Sequence, residues 1–164
     1  MGANATREPK SPALSRFDSP QQEAYLALWR TYDRLRAIED ELFSQFQLTA
    51  QQYNLLRLLE AAHKPLATLT LAERLISRAP DITRMVDKLE QRGLITRSRS
   101  ATDRREVLVE IIRAGTKLLE RIAKPLKECH ECQLGHLSNS ELRALIGLLK
   151  SARFPHEPEG SLWK

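Results

Sequence analysis

Between Gly93 and Gly115 the chain changes its hydrophobic period. Up to Arg92 the apolar residues recur at helical spacing. Leu94 to Arg99 and Glu106 to Ile112 instead read as strands, with Val107, Val109 and Ile111 alternating. The intervening Ser100 to Arg105 is polar and turn-like, so the segment is a β-hairpin with a charged tip. After Gly115 the helical pattern resumes with Leu118, Leu119, Ile122 and Leu126. A single hairpin set into an otherwise helical chain admits few folds.

The helices around it can be placed from their caps. Ser19, Pro20 and Gln22 open a long helix over about 20–46 carrying Tyr25, Leu28, Trp29, Tyr32, Leu35, Ile38, Leu42 and Phe46. Thr49 and Gln52 form a capping box for a helix reaching about 62, ended by His63-Lys64-Pro65. Thr70 and Glu73 fit another, for a short helix over about 70–77. Pro80 starts a helix over 80–92 whose Ile82, Met85, Val86 and Leu89 make one buried stripe, and Gly93 stops it. Pro125 should kink or break the helix that follows the hairpin. Ser138 and Glu141 cap a last helix over 139–152.

At 164 residues the chain is one domain, or a compact unit of two tightly joined parts. It holds no run of about 18 apolar residues, which excludes a spanning helix. Two cysteines exclude a disulfide framework. Residues 1–18 hold no apolar leader segment and read as a mobile arm, so the expected location is cytoplasmic. Six glycines in all, with no Gly-rich phosphate loop, no H-E-x-x-H and no nucleophile elbow, speak against an enzyme, and no cofactor is expected.

Three helices followed by a hairpin is the order of a winged helix-turn-helix. The fold class expected is mainly α with a small β-hairpin wing: a winged helix-turn-helix over 49–113, a helical dimerisation region over 19–48 and 114–152, and a loose tail over 153–164. Helix 80–92 is the candidate recognition helix, which would lie in the DNA major groove. Beside its buried stripe it carries Asp81, Thr83, Arg84, Asp87, Lys88 and Gln91, several of which can bond base edges or phosphates. From Arg92 to Arg105 there are five arginines and one acid, net +4 of a chain total of +5. Guanidinium groups match phosphates bidentately and enter a narrow minor groove favourably. Asp103 could hold one of them in a fixed rotamer. The candidate DNA contacts are therefore Arg78, Asp81, Thr83, Arg84, Lys88, Arg97, Arg99, Asp103, Arg104 and Arg105. The alternative is a winged module that uses the same faces on proteins.

The stretch from Leu71 to about Leu119 resembles the MarR family of bacterial transcriptional regulators. The resemblance is carried by Leu71-Ala72-Glu73-Arg74-Leu75, Ala79-Pro80-Asp81-Ile82-Thr83-Arg84, Val86-Asp87-Lys88-Leu89-Glu90, Arg92-Gly93-Leu94-Ile95, Arg97 and Asp103-Arg104-Arg105, then Gly115 and Leu118-Leu119. It implies a homodimer with interlocked N- and C-terminal helices, binding double-stranded DNA through helix 80–92 and the wing. Asp103 and Arg105 match the wing pair, in which the aspartate orients and an arginine inserts; Arg104 is a phosphate contact or the alternate inserter. Thr83 and Arg84 match recognition-helix contacts. Arg113 stands where family members often have a capping Thr. The dimer also has a physical rationale, because Leu142, Leu145, Ile146 and Leu149 need a partner. Two-fold symmetry would place two recognition helices about 34 Å apart on a pseudo-palindrome.

Two further groups stand out. Cys129, Cys132 and His136 lie along one helix and could form a redox switch or hold a metal, against the plainer reading of inert residues. Trp29, Tyr32, Phe43, Phe46 and Tyr53 read as core. The family resemblance implies a small aromatic effector bound between the helical region and the winged domain, near Trp29, Tyr32 and Tyr53. The function expected is a sequence-specific DNA-binding regulator, a repressor, released by a small ligand or an oxidant.

Overall fold

The computed structural model describes residues 17–76, 81–101, 103 and 105–161. Residues 1–16 of the expected arm, and Arg78 and Arg104 among the expected DNA contacts, lie outside the described residues. The elements are α1 (Pro20–Gln45), α2 (Ala50–Ala62), β1 (Leu66–Ala67), α3 (Thr68–Arg74), α4 (Ile82–Gln91), β2 (Ile95–Arg99), β3 (Val107–Ile111), α5 (Arg113–Leu134) and α6 (Asn139–Arg153). A 3₁₀ turn, Phe154–His156, follows α6, and Glu157 pairs with Arg153 at 3.1 Å.

The chain divides into two compact units, Met1–Leu35 and Arg36–Lys164. In the first, the Ser19 hydroxyl accepts from the Gln22 amide at 3.1 Å and opens α1 as expected. Tyr25 and Trp29 place their rings 6.1 Å apart. Trp29 and Tyr32 are about 60% exposed, at 60% and 58%, which corrects their reading as core. One 3.6-residue period gives the same stripe whether a helix packs against its own chain or against something else.

The second unit holds the core. Phe43, Leu55, Leu56, Leu59, Leu71, Leu89, Val109 and Ile122 are all buried there. The Thr49–Gln52 capping box forms in both directions, as does that of Ser138 and Glu141. The expected Thr70–Glu73 box does not. Leu66 and Ala67 pair with Val109 and Leu108 of β3, and α3 starts directly behind them with Ala67 at its cap position, so Thr70 falls inside the helix. The sheet therefore has three antiparallel strands in the order β1-β3-β2.

Gly93 ends α4 in the left-handed region, φ 64°. Its amide donates to Glu90 O at 2.8 Å and that of Leu94 to Leu89 O at 3.0 Å, the two bonds of a Schellman motif. α5 starts at Ile112 without a side-chain cap. Gly115 is required there, because a Cβ would come within 2.3 Å of the Leu94 carbonyl oxygen. α5 runs through Pro125 without the expected break, its Ile122 and Leu126 buried on either side. α6 buries none of its residues; Ile146 and Leu148 are exposed. No helix among the described residues is long and apolar enough to cross a membrane.

Candidate nucleic-acid interface

The buried stripe of α4 fixes which of its sides faces out. Met85, Val86 and Leu89 are buried, leaving Thr83, Arg84, Lys88 and Gln91 exposed. Asp81 precedes the helix rather than lying in it. Its carboxylate accepts the Arg84 amide at 3.1 Å and pairs with the Arg84 guanidinium at 3.1 Å, so it caps α4, which starts at Ile82 rather than at the expected residue 80.

The hairpin folds back toward α4. The start of α3, α4 and the wing enclose a hollow of about 470 Å³ lined by Thr68, Leu69, Thr83, Arg97, Asp103 and Arg105, among others. The structure thus brings together Thr83, Arg97, Asp103 and Arg105 of the expected contacts. Leu69 and Val107 on its apolar rim were not anticipated; the Thr68 hydroxyl joins the two sides by donating to Val107 O at 3.2 Å. No sequence signal marks Leu69, because the start of α3 depends on β1.

The wing arginines are not equivalent. Arg97 donates through Nε to Glu90 at 2.8 Å and through Nη1 to Asp87 at 2.5 Å, and a second contact joins Nη2 to Glu90. This ties β2 to α4. The Arg97 bond holds the Glu90 carboxyl below the usual carboxylate range, and Glu90 in turn raises the Arg97 guanidinium. Arg99 is exposed at the end of β2. At the tip, the Asp103 carboxylate accepts the backbone amide of Arg105 at 2.9 Å, while Glu106 N–H donates to Asp103 O at 3.0 Å. Asp103 thereby orders the turn at the tip of the wing. Arg92, counted with the phosphate-seeking arginines, bonds Phe46 O and Gln47 O at the end of α1.

The remaining candidates separate. Tyr53 lines a groove of about 870 Å³ between α2 and α5 with Arg57, Leu119, Lys127, His130 and, from α6, Leu142. Burial pushes its phenol above the ordinary value. Trp29 lines a different hollow, with Phe17, Leu26 and Arg30. Cys129 is buried, which raises its thiol, while Cys132 is exposed. Among the described residues no three His, Cys, Asp or Glu side chains could hold a metal ion, so Cys129, Cys132 and His136 do not form the metal site considered from their spacing. His136 lies beyond the end of α5, and of the two thiols one is buried and the other exposed.

A sequence model of the MarR family matches residues 48–107, from the end of α1 to the start of β3. The chain is 57% identical to a MarR transcription factor from Planctomyces limnophilus, over 82% of this chain and 98% of that one, with a TM-score of 0.66. The chain belongs to the MarR family. It is also 29% identical over 134 residues to the HTH-type transcriptional repressor NicR of Pseudomonas putida, covering 82% of this chain and 84% of the relative. The MepR protein of S. aureus, crystallised as a DNA complex, shares the MarR fold at a TM-score of 0.68 and 24% identity, over 79% of this chain and 94% of that one.

Proposed function

We propose that this MarR-family regulator reads a pseudo-palindromic site in double-stranded DNA as a homodimer and represses transcription until a small amphipathic aromatic ligand releases it. The observation that carries the reading is the convergence of α4 and the wing, which puts Thr83 and Arg105 on one hollow with the exposed Arg84 and Lys88 alongside. A helix in the major groove and a wing along the backbone use such an arrangement together. The NicR relative, named a repressor, supports the sign of regulation. The exposed apolar residues of α6 support the homodimer, since a second copy would cover Ile146 and Leu148.

The effector reading rests on the groove at Tyr53. Leu119, Leu126 and Leu142 offer apolar walls, and the Tyr53 hydroxyl with Arg57 and Lys127 offers polar partners for a phenol or an aromatic acid. Such a ligand releases DNA only by binding the DNA-incompetent form more tightly. The deciding experiment is selection of the purified protein against random duplex DNA at about 150 mM salt. Enrichment of half-sites about one helical turn apart establishes a dimeric reader. Absence of enrichment, with a protein partner captured by the same faces, would replace it with a protein-binding module.

A further inference from the structure

The carboxyl end of α1 closes in a Schellman turn, but without the residues that usually accompany one. Its last turn carries no basic residue, although a helix of 26 residues presents a negative pole there. Its final Schellman turn places Gln47 at φ 54°, where glycine is the usual occupant. The last carbonyls of a helix have no partner within it. The turn's own amides meet Phe43 O and Ser44 O, and Arg92 meets the two carbonyls that follow the helix, from 45 and 46 residues away: Nη1 donates to Gln47 O at 2.5 Å and Nη2 to Phe46 O at 3.0 Å. A planar guanidinium can bridge two carbonyls at once in this way.

The donor's own position gives the contact its meaning. Arg92 is the C-cap of α4, and its neighbour Gly93 makes the left-handed turn from which β2 departs. Leu94 then buries its side chain and presents its carbonyl to Gly115 of α5. One short stretch therefore closes α4, launches the wing and holds the end of α1. We propose that Arg92 is a positioning residue: by clasping α1 it fixes the α4–wing turn, so that the state of α1 sets how α4 and the wing meet DNA. This rests on the DNA-reading function proposed above.

The test uses the full chain and starts without DNA. In Arg92→Ala, amide hydrogen exchange should accelerate at Gln47 and Leu48 and also at Gly93 and Leu94, whose amides are all hydrogen-bonded in the two turns. Acceleration confined to Gln47 and Leu48 would overturn the proposal. On selected operator DNA, Arg92→Ala should lose about 3- to 30-fold in specific affinity. Its salt slope and its affinity for unrelated duplex should stay unchanged. A slope smaller by about one would make Arg92 a phosphate contact instead. Adding Gln47→Gly to Arg92→Ala should restore thermal stability by relieving the left-handed turn, yet leave specific affinity low. Recovery of both together would show a merely structural cap. If the parent protein enriches no duplex, the DNA-reading function fails, and the exchange comparison alone decides the clasp.

Discussion

Arg97 and Arg105 belong to the same basic run, but their surroundings give them different work. Arg97 faces two carboxylates of α4, whereas the turn around Arg105 is held through its backbone, which leaves that guanidinium to reach outward. Arg105→Ala should therefore weaken operator binding by about 1–3 kcal/mol, and more than Arg97→Ala does. Equal losses in a titration would reduce the wing to a charge patch. The partner of Arg97 makes a pH prediction. Because the Glu90 carboxyl is depressed in the folded state, its contribution is present above the unfolded carboxylate range and fades as pH falls through the lower, folded value. Glu90→Gln should lower the thermal midpoint at neutral pH, flatten the acid limb of the profile, and converge with the parent at low pH, where the parent has lost the same contribution. For the thiols, burial and a raised Cys129 predict that iodoacetamide labels Cys132 first, as mass spectrometry would show. At this scale the sequence named the polar side chains that α4 and the wing bring to the hollow, Thr83, Arg97, Asp103 and Arg105, since their types and spacing are local. It did not foresee the backbone partners of Arg92 and Asp103, because a count of charges does not say which carbonyl or amide each group meets.

Elements whose signals are local were legible: both complete capping boxes, the glycine stop of α4, and the two strands of the hairpin. β1 was not, because two residues carry no period, and its pairing with β3 is a contact across some forty residues. Missing β1 moved the start of α3 and hid Leu69. The glycines give two opposed predictions. Gly115→Ala pushes a Cβ into the Leu94 carbonyl and the Ile111 side chain, at 2.3 and 2.7 Å, and should cost about 1–3 kcal/mol of stability. Gln47→Gly relaxes a left-handed residue and should gain up to about 1 kcal/mol. Chemical denaturation of the two variants checks both signs.

For the whole molecule, the apolar faces left exposed on α6 and on the first half of α1 are the part that one chain does not explain. Ile146→Glu should convert a dimer to monomers in sedimentation and weaken binding to a two-half-site duplex far more than to a single half-site. A monomer already present in the parent would remove the two-fold reading. The sheet order has a consequence of another kind. With β3 in the middle, β2 is an outer strand whose Thr96, Ser98 and Arg99 are exposed and whose Arg97 is braced against α4, while the opposite edge is only two residues long before α3 begins. An outer strand offers unpaired backbone groups to any other chain that comes alongside, and charge on that strand repels the newcomer. The arginines that would grip phosphate thus also keep the hairpin from growing into a sheet with its neighbours. Replacing Arg97 and Arg99 together should raise light scattering in concentrated solution, so that variants designed to silence DNA binding carry a solubility defect of their own.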